Sequence, residues 1–311
     1  MTSSIGDQFR VENLFSLRGK TALVTGGSSG LGLIMSKGLL RNGVKVLIAS
    51  RKAEKSKRAL KELKPHGECY AFNADVTSME DRKALLEEAE EKLGSISILI
   101  NNAGTNWGAK LEEYPDQGFA KVISTNVNAV FSLTRDALPL LEKAASFKDP
   151  ARIINIGSMD GIHVPIVQRI PTFAYSSSKA ALHHLTKSLA IDLAPKHITV
   201  NAVAPGFFES RMTDYLFEHY KHDIEDDCPL HRVGEPEDLV GIIAYLASRA
   251  GAYTNGAVIP VDGGTCISKG KDPGRTRTRI AKDSKRIRNL LLLTLFSDNP
   301  LASLVIRFYL K

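Results

Sequence analysis

A run of apolar and β-branched residues, Thr21-Ala22-Leu23-Val24-Thr25, passes straight into Gly26-Gly27-Ser28-Ser29-Gly30-Leu31-Gly32, and a helical pattern follows. Glycines at such a junction let the chain turn tightly. They also let an anion approach the free N–H groups at the helix N-terminus. The same alternation continues along the chain. Short apolar runs recur at 44–49, 69–72, 96–100, 152–156, 198–203 and 257–261. Between them, apolar residues spaced three and four apart predict helices over 31–42, 52–63, 78–93, 119–141, 176–193 and 236–247. Strands alternating with helices of this length imply right-handed βαβ units. The expected fold is therefore α/β, a doubly wound parallel seven-stranded sheet of Rossmann-like form, covered on both faces.

Seven strands fit one domain, expected over residues 14–268 of the 311, with no linker or repeat inside it. A hydrophobic content of 43% and a charged content of 24% exclude global disorder. Cys69, Cys228 and Cys266 are too few and too scattered for a disulfide framework or a zinc cluster. His163, His183 and His184 lack partners at ligand spacing, so no metal site is expected. No run of about 18 apolar residues is present, and the first ten residues lack the layout of a secretory leader. These features predict a cytoplasmic protein without a transmembrane segment.

The net charge of +7 is a property of one end. Residues 269–311 hold 11 Lys/Arg against 3 Asp/Glu, which leaves 30 against 31 for the rest. The globular part is thus close to neutral, and no nucleic-acid partner is expected for it. The basic extension has three readings: a segment for an anionic membrane surface, a nonspecific nucleic-acid binder, or translated non-coding sequence. Asp298, Asn299, Pro300 and Arg307 interrupt its apolar stretch and exclude a bilayer span, and the third reading is favoured.

At the end of the second strand stand Ser50 and Arg51, with no Asp or Glu. A carboxylate there would accept the ribose hydroxyls of NAD, whereas an arginine suits a 2′-phosphate. Arg51 and Ser50 therefore point to NADP(H); the plainer reading of Arg51 is a solvated cation at a helix start. Asp75-Val76, after the third strand, either accepts from the adenine amino group or, with Thr77-Ser78 following, serves as a helix cap.

Asn101-Asn102-Ala103-Gly104 closes the fourth strand at the carboxyl edge of the sheet, where ligands bind in such folds. The fifth strand delivers Ser158 to that same edge, and Tyr175 and Lys179 follow at i and i+4 on one helix face. A phenol titrating at about 10 needs a neighbouring ammonium to serve as an acid–base group at neutral pH. Lys179 can supply that field, and Ser158 can hydrogen-bond a carbonyl.

These motifs together resemble the short-chain dehydrogenase/reductase family: TGxxxGxG at 25–32, NNAG at 101–104, and a tetrad of Asn126, Ser158, Tyr175 and Lys179. The likeness covers about residues 15–267. Within the family the chain is similar to β-ketoacyl carrier-protein reductases of the rhamnolipid-pathway type, through NNAGTNWGAKLEEYP, PARIINIGS, KAALHHL and GAYTNGAVIPVDGG. The resemblance implies Tyr175 as general acid, Lys179 lowering its pKa and holding the nicotinamide ribose, Ser158 fixing the carbonyl, and Asn126 supporting a water relay. It implies cofactor contacts from Gly26, Ser28, Ser29, Gly30, Leu31 and Gly32, then from Ser50, Arg51, Asp75 and Val76. Asn102, Ala103, Gly104, Tyr175, Lys179, Pro205, Gly206, Phe208 and Ser210 complete that set. The implied activity is NADPH-dependent reduction of a ketone, such as a 3-oxoacyl thioester. Alternatives are an NADP-linked alcohol or polyol dehydrogenase and a non-catalytic NADP-binding protein. A homodimer or homotetramer is implied unless the extension obstructs it.

Two departures from the family pattern stand out. Ser210 occupies the place where relatives carry threonine. Sixteen residues, MDGIHVPIVQRIPTFA, separate Ser158 from Tyr175, and they either shape an apolar pocket for a bulky ketone or form a packed loop. Residues 207–228 are expected to form a lid over the substrate or else a packed helix pair.

Overall fold

Each apolar run becomes a strand: β1 (Thr21–Thr25), β2 (Lys45–Ser50), β3 (Cys69–Asn73), β4 (Ile98–Asn101), β5 (Ala151–Ile156), β6 (Ile198–Pro205) and β7 (Val258–Val261). A computed structural model describes residues 7–165, 171–210 and 213–268 of the chain. All seven strands pair in parallel, in the order β3-β2-β1-β4-β5-β6-β7. Strand order reverses between β1 and β4, and a crevice opens there at the carboxyl ends of the strands.

Successive side chains of a strand point to opposite faces. Val24, Ile48 and Ile100 pack with Met35, Leu39 and Ile243 on one face. Leu23, Leu47 and Leu99 pack with Leu85, Leu133 and Leu189 on the other. With both faces covered, the strands are apolar at nearly every position, which is why they read as continuous runs in the sequence.

After a single helical turn at Val11–Leu14, the longer helices are α1 (Gly30–Arg41), α2 (Ala53–Leu63), α3 (Met79–Leu93), α4 (Asp116–Ile123), α5 (Ala129–Asp136), α6 (Leu138–Ala144), α7 (Phe173–Leu193), α8 (Asp214–Asp227) and α9 (Pro236–Ala247). The single helix expected over 119–141 is a correction: it divides into α4, a π-helical turn at Ser124–Asn128, α5 and α6. Pro139 lacks an N–H and suits only the first turn of a helix, so it separates α5 from α6. The wider π turn places Asn126 in the interior. Among the described residues of 207–228 there is one helix, α8, rather than a pair. Arg211 and Met212 of the expected lid, residues 166–170 of the long segment, and the whole 269–311 extension lie outside the described residues.

Arg152 on β5 is buried and ties the sheet to the end of α9. Its guanidinium donates to the carbonyls of Leu246 and Ser248, each at 3.0 Å, and to Asp149 at 3.0 Å. A cation at these last carbonyls satisfies groups that the helix leaves unpaired. No described helix is long and apolar enough to cross a membrane.

Candidate active site

The turn after β1 is built by close backbone approach. Gly26 and Gly30 both have positive φ, 66° and 53°. A Cβ on Gly26 would lie 2.8 Å from Asn102 Nδ2, and one on Gly32 would overlap the Gly26 carbonyl. Gly32 therefore sits behind the turn, where it lets α1 pack on β1, and does not line the cleft as expected. On Gly30 a Cβ would meet only Ser210 Cβ, at 3.5 Å. The N-terminus of α1 is open, and Ser29 makes no side-chain cap. These are the conditions for anion binding by backbone N–H groups.

Thr25 joins the turn to the NNAG segment. Its hydroxyl accepts from the backbone N–H of Asn102 and of Ala103, both at 3.0 Å, and donates to Ile100 O at 3.3 Å. Asn102 Nδ2 donates to Thr25 O at 2.9 Å. Asn101 has a different use: it is buried and donates to Asn155 at 2.9 Å and Thr134 at 3.3 Å. Only the second asparagine of the pair faces the cleft.

That cleft, about 390 Å³, runs from Arg51 and Asp75 past Gly26, Ser28–Leu31 and Asn102–Gly104 to Tyr175, Lys179 and Pro205-Gly206. Of the expected cofactor residues it gathers all except Gly32, and it adds Lys52, Lys55, Thr125, Gly157 and Thr213. Arg51 lies 3.8 Å from Asp75, whose carboxyl is held below its ordinary value. Burial opposes that shift, and hydrogen bonds from Thr77 and the Arg51 guanidinium outweigh it. Asp75 also accepts from the Thr77 N–H at 3.0 Å, while the cap of α3 is Ser78, which accepts from Asp81 N. The Ser50 hydroxyl is engaged with Ser56 at 2.8 Å.

Tyr175 and Lys179 lie one turn apart near the start of α7, both pointing inward. Tyr175 is hydrogen-bonded to the Ser158 hydroxyl, and Lys179 Nζ stands 5.5 Å from the tyrosine ring centre. Lys179 donates to Ile156 O at 2.6 Å. Ser158 Oγ accepts from Asp160 N at 3.1 Å. The expectation that Lys179 depresses the phenol is corrected by the balance of forces. Burial, aided by the nearby Asp160, pushes Tyr175 up to about 12, against the opposing Ser158 hydrogen bond. Burial also pulls Lys179 down to about 8.

Asn126 touches neither the cleft nor Lys179 Nζ by a hydrogen bond. Its Oδ1 accepts from Thr105 N at 2.9 Å, and its Nδ2 donates to Thr105 O at 3.0 Å and to Ser178 Oγ at 2.9 Å. It clamps the strand-like segment after NNAG onto α7. Thr213 is the residue that sequence reasoning missed. Its hydroxyl accepts from Ser210 N at 2.9 Å and donates to Phe208 O at 2.7 Å, so it fixes the loop after Gly206. It lines the cleft alongside Ser210, and the three-residue spacing in SRMT was the available signal.

Beyond Tyr175 a second cavity of about 220 Å³ opens between the Ser158–Tyr175 segment and α8. Met159, Pro165, Phe207 and Ile224 give it apolar walls, and Asp160, Asp223 and Asp227 add carboxyl groups. Its surface is mainly apolar, with these carboxyl groups set into it. Among the described residues no group of three His, Cys, Asp or Glu side chains could hold a metal.

The short chain dehydrogenase family model matches residues 20–221. The chain belongs to that family. Among its relatives in the short-chain dehydrogenase family is the rhamnolipids biosynthesis 3-oxoacyl-[acyl-carrier-protein] reductase of Pseudomonas aeruginosa. That protein is 45% identical over 252 residues, covering 80% of this chain and 97% of the relative. A tropinone reductase homolog of Arabidopsis thaliana is 35% identical, covering 82% of this chain and 95% of the relative. Among solved structures, the Pseudomonas aeruginosa RhlG/NADP active-site complex superposes with a TM-score of 0.78 at 44% identity, covering 81% of this chain and 98% of that one.

Proposed function

We propose that the chain is an NADPH-dependent reductase of a ketone, a 3-oxoacyl thioester or a related secondary-metabolite ketone, acting through residues 14–268. The observation that carries this reading is the convergence of Ser158, Tyr175 and Lys179 where the long cleft meets the second cavity. The relative named as a 3-oxoacyl carrier-protein reductase and the neighbour solved with NADP support it. The cleft fits a dinucleotide phosphate on its own terms. The Gly26–Gly30 turn and the uncapped α1 offer backbone donors for the pyrophosphate, and Arg51, at the end of a strand without a carboxylate, suits a 2′-phosphate.

NADPH held there would supply a hydride to the carbonyl carbon of the ketone, placing negative charge on its oxygen. Ser158 hydrogen-bonds this oxygen, and the Tyr175 hydroxyl transfers its proton to it, giving the secondary alcohol. Lys179, held by Ile156 O, provides the positive charge that favours the phenolate left behind. Asn126 positions Thr105 and Ser178 around this group. Phe119 and Phe131, exposed on α4 and α5, support assembly as a homodimer or homotetramer.

The test follows nicotinamide absorbance while the purified protein meets an acetoacetyl thioester, with NADPH and NADH side by side. Loss of NADPH that is faster than loss of NADH, and absent in Tyr175→Phe, is expected. Equal use of both cofactors would remove the role given to Arg51. Turnover by Tyr175→Phe would remove the role given to the tyrosine.

A further inference from the structure

α7 carries Tyr175, Lys179 and His183 at i, i+4 and i+8, so all three share one face. His183 is buried, 6% exposed, and has no part in the chemistry above. Its ring lies between the two glycines that bracket Gly157-Ser158-Met159-Asp160-Gly161. A Cβ on Gly157 would overlap His183 Nε2 and stand 2.8 Å from Cδ2; one on Gly161 would stand 2.7 Å from Cε1. Neither glycine has positive φ, so backbone conformation does not call for glycine at either place. At Gly157 the ring does; at Gly161 the ring shares that role with the α7 backbone, Lys179 C at 2.7 Å and Ala180 N at 2.8 Å.

The other restraints on this segment come from the sheet and from its own turn. Gly157 N donates to Val203 O at 2.7 Å, and Gly161 N donates to Ser158 O at 3.0 Å. His183 Nε2 is buried without a hydrogen-bond partner among the described atoms, while the ring also bonds the Gly161 backbone. A leucine would avoid the cost of the unpaired nitrogen, but its branched end is too thick to pass between two Cα atoms. Burial, offset in part by that Gly161 hydrogen bond, holds the imidazole down to about 4, with the Lys179 and Lys187 ammonium groups acting the same way. The ring is therefore neutral beside Lys179 at working pH.

We propose that His183 is a positioning residue, whose flat ring sets the Ser158 hydroxyl and the Ile156 carbonyl at the right height over Tyr175 and Lys179. This rests on the roles given to Ser158 and Tyr175 above. The steric relation makes a double-mutant cycle decisive. Gly157→Ala pushes its Cβ into the ring and is expected to lower kcat/KM for the ketone by about 10- to 100-fold, as a displaced catalytic group does. Gly157 lines the cofactor cleft, so the Kd for NADPH is read by its fluorescence in each variant, and the loss in kcat/KM is expected to exceed any change in that Kd by about fivefold or more. Adding His183→Ala removes the obstruction and is expected to return about fivefold or more of that loss. In single variants, His183→Asn, which is planar and polar, is expected to keep more kcat than His183→Leu.

The proposal is overturned if the double variant is no better than Gly157→Ala, or if His183→Leu keeps the parent kcat and KM. It is equally overturned if the two sites couple in melting temperature and not in kcat. Should Gly157→Ala not fold, the Asn and Leu variants decide, provided both bind NADPH. Tyr175→Phe, run alongside, separates the two layers. Turnover in that variant would sink the function proposed above, whereas its loss beside unaffected His183 variants would sink the positioning role of His183 alone.

Discussion

Lys179 is a buried cation whose titration should be visible in the stability of the whole protein. Burial lowers it from an ordinary 10.5 to about 8. Below pH 8 both the folded and unfolded chains carry the ammonium, and the folded state bears the full desolvation cost. Between pH 8 and 10.5 the folded protein gives up the proton while the unfolded chain keeps it. The unfolded state then binds more protons, so stability gained from this group rises with pH. At 1.36 kcal/mol per pH unit, the gain between pH 7 and pH 10 is about 2–3 kcal/mol. Lys179→Met, similar in length and without charge, lacks that gain. Urea unfolding of parent and variant at pH 7, 8, 9 and 10 should show the parent gaining about 2–3 kcal/mol relative to the variant across the series. A difference that stays flat with pH, or that moves the other way, would refute the reasoning. The same deprotonation withdraws the positive charge beside Tyr175, so kcat/KM for the ketone should fall above pH 8.

Arg51→Ala should weaken NADPH binding by about 10- to 100-fold, the worth of a charge-assisted phosphate contact, and leave NADH binding unchanged; fluorescence titration with each cofactor checks it. Arg152→Met removes a buried guanidinium from four partners, Pro150 O among them, and should cost about 2–4 kcal/mol in thermal unfolding, with no change in KM for the ketone. Asn126→Asp keeps the acceptor for Thr105 N but loses both donations, so kcat should fall about tenfold while NADPH still binds.

The sheet was legible because its strands are buried on both faces, which leaves apolar runs such as ILIN and VLIAS with no polar alternation to confuse them. Positions near chemistry were legible where a motif joins residue type to spacing, as with Tyr175, Lys179 and Ser158. What the sequence could not carry was direction. Gly32 belongs to the glycine-rich motif yet faces the helix packing, because the Gly26 carbonyl occupies the space its Cβ would need. Asn101 and Asn102 are neighbours with opposite faces, and only the pleat of β4 separates their uses. The break after α4 was hidden because a π turn adds a residue without changing composition. Thr213 was missed for a similar reason: its hydroxyl reaches back over the Phe208–Ser210 turn, a contact that only the folded loop creates. The phenol of Tyr175 shows the limit most clearly. Its sequence neighbour at i+4 predicts a lowered pKa, while the depth of burial, which no spacing encodes, sets the opposite sign.

The central claim is that a hydride passes from the nicotinamide to a ketone carbon at a site where Tyr175 supplies the proton. NADPH carrying deuterium at the transferred C4 position, mixed with an acetoacetyl thioester and the full-length protein, tests it directly by mass spectrometry of the product. The account predicts one deuterium on the new carbinol carbon with the parent protein, and no labelled alcohol with Tyr175→Phe, although that variant still binds NADPH. Alcohol without the label, or labelled alcohol formed at the parent rate by Tyr175→Phe, would contradict it.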